Sequence, residues 1–411
     1  MSISPSTDHP RSRIPRIPSL LRARSAGEQV KVTNIELFFD LVFVYAVTQL
    51  SHTLLHGLNA TGALQVLLLF LAVWWVWVFT SWVTNWLDPE RPLVRLLLLV
   101  LMLAGLLLSI ALPGAFGAHG RLFAGAYVFM QVGRTLFMLW ALRDAAPASK
   151  RNFQRITAWL VLSGALWLAG GWQDGQLRWL WWTAALVLEY LGPALAFYVP
   201  GMGRSSTSDW DIDGGHLAER CSQFVIIALG ESVLVTGSSF ADTLSQPQAL
   251  FAFVSAFVGS VAMWWIYFDL GAERGSRAIR RSADPGRTAR IAYTYLHLLI
   301  VAGIIVSAVA DELTLHEPAR QAGMVDGAVL LGGPALYLLG NAWFKKTVND
   351  SNLPLSHLLG LGLLAALALA LDRWSVASLG MATTAVLVLV ALWEVCSLRS
   401  VREMLNERDA H

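Results

Sequence analysis

The sequence predicts an all-α polytopic membrane protein, a helical bundle of about twelve transmembrane helices in two pseudo-symmetric six-helix halves. Three observations point there. Hydrophobic residues make up 55% of the 411 positions and charged residues only 14%, with a mean hydropathy of +0.54, whereas a soluble domain carries about 25% charged residues. Apolar runs long enough to cross a hydrocarbon core, roughly 20 residues each, recur along the whole chain. Basic residues gather in alternate connections, as the positive-inside rule demands.

Taken in order, residues 1–32 are rich in Pro, Ser and Arg. They hold no apolar core for a signal peptide and read as a disordered basic tail. The first half covers 33–199, with spans near 35–57, 62–84, 94–112, 121–142, 153–170 and 177–198. Residues 200–215 form a linker. The second half, 216–397, holds spans near 216–237, 248–270, 290–311, 324–344, 354–371 and 375–396, and residues 398–411 form a second tail. Turn signals such as Leu112-Pro113-Gly114, Gly170-Gly171 and Pro200-Gly201 separate the spans.

With both termini in the cytoplasm, 24 of the 30 lysines and arginines lie inside. Only Arg121, Arg178, Arg320 and Arg373 fall outside, and Arg134 and Arg220 lie within spans. A span added or lost in the middle would place the later basic loops on the wrong side. The sequence thus predicts an inner-membrane, multi-pass protein whose main partner is the lipid bilayer.

Residues 101–113, LMLAGLLLSIALP, align without a gap on 299–311, LIVAGIIVSAVAD. Trp74-Trp75-Val76-Trp77 likewise matches Trp264-Trp265-Ile266-Tyr267. An internal repeat of six helices would give halves of the same orientation, related by an axis along the membrane normal. It would match Glu36 with roughly Glu219.

Two spans carry polar residues that a membrane helix normally excludes. The first holds Glu36, Asp40, Gln49 and His52, the seventh His216, Glu219, Arg220, Gln223 and Glu231. Glu36 has an ordinary explanation, since Thr33-Asn34-Ile35-Glu36 reads as a capping box. Asp40 lies one turn deeper, beyond the first-turn donors, and points to a partnered or pore-facing role. Gln49 falls about 180° round from Asp40 at roughly 100° per residue, so one straight helix cannot present all four together. His52 fits either a bond to a neighbouring helix or a place on the path. Glu219, Arg220 and Gln223 cluster near the cytoplasmic end, where Arg220 can pair with Glu219 or with an acid of the first span. Glu231 lies deep, between Gly230 and Ser232, and a carboxylate there is paired, protonated or functional. Arg134 calls for an acid, of which Glu189 is one candidate. Asp88, Asp269, Asp311 and Glu312 read as interfacial, and Trp74, Trp75 and Trp77 as packing or belt residues.

Soluble catalytic chemistry has no signature here: there is no Walker loop, dinucleotide fingerprint or H-E-x-x-H. No enzyme activity, cofactor, metal site or nucleic-acid partner is expected. Cys221 and Cys396, both in spans, make neither a disulfide framework nor a metal cluster. Asp209, Asp211 and Asp213 alternate like a fragment of a calcium loop without its terminal glutamate, and the basic 271–289 loop reads as an orientation signal.

The run Glu36-Leu37-Phe38-Phe39-Asp40-Leu41-Val42-Phe43-Val44, followed by Gln49-Leu50-Ser51-His52, resembles the opening signature of the bacterial low-temperature-requirement A (LtrA) family. His216, Glu219-Arg220 and Ile226-Ile227-Ala228-Leu229-Gly230-Glu231-Ser232 resemble its second signature, though Cys221-Ser222-Gln223 departs from the usual wording. The resemblance implies a polytopic membrane protein linked by name to growth in the cold, without a defined activity.

The expected function is therefore a secondary transporter or proton- or cation-coupled permease for an unknown small solute. Asp40, Glu231, His52 and Gln49 are candidates for the ion or substrate path. Glu36, His216, Glu219, Arg220 and Gln223 would form a gate or structural ion pairs. A cation channel and a non-transporting membrane factor are the alternatives.

Overall fold

The computed structural model of the chain describes residues 19–22, 31–206, 213–242, 247–269, 279, 285–349 and 352–397. These form twelve helical segments: α1 (Asn34–His56), α2 (Ala60–Trp86), α3 (Pro92–Ala111), α4 (Gly120–Asp144), α5 (Pro147–Gly171) and α6 (Gly175–Ala194), then α7 (Gly214–Asp242), α8 (Pro247–Phe268), α9 (Gly286–His316), α10 (Met324–Val348), α11 (Leu355–Ala368) and α12 (Val376–Ser397). Each agrees with one expected span to within a few residues. Nine are long and apolar enough to cross a membrane; α5, α6 and α11 are the others. The fold is all-α and polytopic.

Helix ends follow the local chemistry. The Thr33 backbone N–H donates to the Glu36 carboxylate at 3.0 Å, closing the predicted cap. Asn59 caps α2 by accepting from the Gly62 N–H at 3.0 Å. Proline opens α3 and α5, where its missing N–H costs no intrahelical bond. The tight α5–α6 connection turns at Gly175, whose φ of +56° suits a residue without a Cβ.

Two helices, α2 and α9, form the inner scaffold. Residues 68–70 and 72–78 of α2 are all buried. Trp74, Trp75 and Trp77 thus face protein on every side, and their belt reading is set aside. In α9 a π-helical turn spans Ala289–Leu296. Such a turn misaligns backbone carbonyls, and here three successive ones meet side-chain donors. The Ala292 carbonyl accepts from His297 Nδ1 at 2.8 Å, that of Tyr293 from the Cys221 thiol at 3.5 Å, and that of Thr294 from Trp74 Nε1 at 2.8 Å. These bonds fasten α2 and α7 to α9.

The α9–α10 crossing is closer still. A Cβ on Gly303 would stand 2.5 Å from the Tyr337 backbone nitrogen, and one on Gly333 2.7 Å from that of Ser307. Small residues let membrane helices approach to backbone contact.

The tail reading needs one correction. Residues 19–22 pack against the bundle: Leu20 is buried, Leu21 bridges Leu87, and Arg22 donates to the carbonyls of Thr84 and Leu87 at 3.0 and 2.9 Å. The rest of 1–30, Asp209, Asp211, most of the 271–289 loop and the tail 398–411 lie outside the described residues.

Candidate functional site

Helices α1 and α7 run side by side in the same direction, paired at an offset of 180 to 181 residues. Glu36 meets His216, Asp40 meets Arg220, and the Phe43 ring lies 6.4 Å from that of Phe224. This seam holds most of the residues that the sequence singles out.

At the end where both helices begin lies a buried charge cluster. Arg220 Nη2 donates to Asp40 Oδ1 at 2.6 Å, and Trp77 Nε1 donates to the same oxygen at 2.8 Å. His216 Nε2 sits 2.9 Å from Glu36 Oε1, while Arg22 Nη2 donates to Glu36 Oε2 at 3.0 Å. Glu36 is therefore both helix cap and ion-pair partner. All four members from α1 and α7 are wholly shielded, at 0% exposure, so the charges have to balance locally. They do: two carboxylates face two guanidinium groups.

The histidine's proton can be placed. Asn85 Oδ1 accepts from the Asp213 N–H at 2.8 Å, and its Nδ2 donates to the Asp213 carbonyl at 2.8 Å. That fixes the amide and turns Nδ2 toward His216 Nδ1 at 3.3 Å. An amide nitrogen only donates, so Nδ1 accepts and Nε2 carries the proton given to Glu36.

Charge balance is not full satisfaction. Asp40 Oδ2 and the Nε and Nη1 of Arg220 have no hydrogen-bond partner, although Nη1 lies 3.6 Å from Glu36 Oε1. Each buried polar group left unbonded costs about 1–3 kcal/mol.

The structure leaves the other candidates outside this cluster. Glu219 is exposed, 3.4 Å from the Val32 N–H and 3.5 Å from Gln223 Nε2; Arg220 turns instead to Asp40. Gln223 Oε1 is buried without a partner. Gln49 and His52 are half-buried on other faces of α1, as the 180° turn count requires. Glu231 is 6% exposed and has no hydrogen-bond or ion-pair partner among the described residues. It lies eleven residues beyond Arg220, about 16 Å along the helix and within roughly 20° of the same face. Continuing the cluster's 180-residue offset to this depth would set Ser51 opposite it, and the Ser51 hydroxyl is buried and unbonded.

A second buried network answers the question of Arg134. Glu189 accepts from Ser163 Oγ at 2.7 Å, from Trp167 Nε1 at 3.1 Å and from the Tyr127 hydroxyl. Gln131 Nε2 donates to Tyr127 at 3.2 Å and its Oε1 accepts from Arg134. Arg134 and Glu189 are thus joined through two neutral side chains rather than paired directly. A π-turn at Phe129–Gly133 sets Gln131 for this relay. A third cluster, Lys345 to Glu394 at 2.5 Å with His357 at 3.3 Å, ties α10, α11 and α12 together.

Trp77, Asn85, Arg22 and Ser81, whose hydroxyl accepts from Arg220 Nη2 at 3.4 Å, were missed by sequence reasoning. An indole or amide in an apolar helix carries no signal of which acid it will meet. Among the described residues no group of three His, Cys, Asp or Glu could hold a metal ion. A cavity of 180 Å³ between α2, α5, α6 and α9, lined by Trp75, Phe153 and Arg290 among others, includes none of the predicted site residues.

A bundle of apolar helices with charges buried between α1 and α7 defines a polytopic membrane protein with an intramembrane polar seam. The chain belongs to the family of the bacterial low temperature requirement A protein (LtrA), which it matches over residues 31–393. It is 42% identical over 375 residues to an uncharacterized protein of Rhizobium meliloti (strain 1021), covering 91% of each chain. No solved structure matches it.

Proposed function

We propose that the protein is a proton- or cation-coupled transporter of a small solute, and that its polar path follows the α1–α7 seam. In this reading Ser51 and Glu231 bind the ion or solute. The cluster of Glu36, Asp40, Arg220 and His216 is a gate on the side that the basic residues assign to the cytoplasm, and it opens when α1 and α7 part there. The observation that carries the reading is the unpartnered carboxylate of Glu231, a residue only 6% exposed, on the same face of α7 as a charge cluster whose bonds do not all close. A buried network with unmet partners gains when a second arrangement satisfies them, whereas a purely structural one favours full satisfaction.

The test is purified protein in proteoliposomes with an internal pH dye, scanned against a panel of cations and small solutes. Solute-dependent proton movement is expected from the wild type and absent from Glu231→Gln at equal incorporation. Ion current with no solute movement would make it a channel. No movement from either protein would contradict transport.

The charge balance of the cluster favours a second reading, a non-transporting membrane factor in which every ion pair is structural. It predicts that Glu231→Gln changes neither flux nor stability.

A further inference from the structure

Asp311, which the sequence places at the interface, is half-buried and lines a partly open cavity between α8, α9, α10 and α12. We propose that this cavity is a binding site for one alkali cation, with Asp311 supplying the charge and neighbouring hydroxyl oxygens the neutral ligands.

Its lining is unusual for a membrane interior. Besides Asp311 it includes Ser307, Thr314, Thr383 and Thr384, from α9 and α12. Three of these hydroxyls have already given away their only proton: Thr314 Oγ1 to the Ala310 carbonyl at 2.7 Å, Thr383 Oγ1 to that of Gly380 at 2.8 Å, and Thr384 Oγ1 to that of Ser255 at 3.2 Å. A hydroxyl that has donated can only accept, so its remaining lone pairs suit a cation. Ser307 is 5% exposed and its hydroxyl has no hydrogen-bond partner. Asp311 has neither hydrogen bond nor ion pair among the described residues. An acid without a counter-charge and a buried hydroxyl without a partner thus line one cavity.

Size and charge narrow the occupant. Measured as the space open to the centre of a water-sized sphere, the cavity is 30 Å³, against the roughly 10–15 Å³ that one water needs, so one small ion fits with a water or two beside it. A single carboxylate neutralises a monovalent ion. Calcium or magnesium would leave one positive charge unbalanced in a low-dielectric interior, and magnesium tends to keep its waters. A water molecule would satisfy Ser307 and leave the carboxylate charge in place. Hard oxygen ligands suit an alkali cation.

The geometry explains how the site is held. Gly303, Ser307 and Asp311 lie four residues apart on one face of α9, and Ser307 is where Gly333 of α10 makes its backbone approach. The close crossing that gives α9–α10 its contact also fixes one wall of the cavity.

This inference goes beyond the transport reading and does not depend on it, because binding is an equilibrium property of the detergent-purified full chain. Calorimetric titration with NaCl, choline chloride holding the ionic strength constant, is expected to show saturable sodium binding. Asp311→Asn should weaken the sodium affinity by at least about tenfold, and Ser307→Ala should weaken it while keeping the charge. Should Asp311→Asn fail to fold, Ser307→Ala and Thr383→Val provide the same test. Sodium binding of equal strength in wild type and variants would overturn the site, as would no sodium-specific binding in the wild type. Neither outcome bears on whether Glu231 supports flux.

Discussion

Replacing Arg220 by alanine is expected to destabilise the protein by about 3–5 kcal/mol, the cost of leaving a buried charge without its partner. Arg220 is the cation nearest Asp40, at 2.6 Å, and both are fully buried. Its loss leaves two carboxylates facing Arg22 alone at a place that water does not reach. The double variant Asp40→Asn with Arg220→Gln should be the more stable of the two, because it removes the charges together and keeps hydrogen-bonding groups in place. Cys221, buried next to Arg220, offers the readout, since its thiol becomes reactive only on unfolding; Cys396 is exposed and is replaced by serine first. A melting temperature for Arg220→Ala equal to that of the wild type would show that the cluster contributes no net stability.

The second large effect is expected at Gly303. A methyl group there would meet backbone atoms of Tyr337 at 2.5 and 2.7 Å, and backbone cannot rotate aside as a side-chain tip can. Gly303→Ala should therefore force α9 and α10 apart, at the roughly 1–3 kcal/mol typical of overpacking. Gly362 in α11 has open space around its would-be Cβ, so Gly362→Ala should leave stability unchanged or slightly raised. Equal thermal shifts for the two variants would show that the α9–α10 crossing is not limited by the glycine.

Much of the fold was legible because a bilayer imposes a length and a polarity on each helix. Twelve apolar stretches became twelve helices, and the Thr33–Glu36 capping signal became an observed cap. The site was legible where sequence spacing implies a shared face, as for Glu36 with Asp40, and where Arg220 was expected to pair with Glu219 or an acid of the first span, of which the structure shows Asp40. It was not legible where the partner arrives from elsewhere in the chain. Arg22 lies in a stretch whose composition reads as tail, yet it completes the charge balance at Glu36. Asp311 looked interfacial because it follows an apolar run by position alone; only the packing of α8, α10 and α12 shows the cavity that it lines. Glu189 was a candidate partner for Arg134, but the two connect only through Tyr127 and Gln131, which depends on a π-turn that no residue pattern announces. The proposed internal symmetry rests on short alignments, to which the seam adds only the side-by-side pairing of α1 and α7 at 180 to 181 residues.

In the proposed mechanism α1 and α7 part at the charge cluster as the protein works. The Val32 N–H lies 3.4 Å from the Glu219 carboxylate, at the mouth of that seam, so Val32→Cys with Glu219→Cys can be joined by a short thiol cross-linker once Cys221 and Cys396 are replaced. Flux would be measured in proteoliposomes before and after cross-linking of the same preparation. A seam that must open predicts a folded protein whose flux is lost on cross-linking. Unchanged flux after complete cross-linking would contradict the gate and return the cluster to a purely structural role.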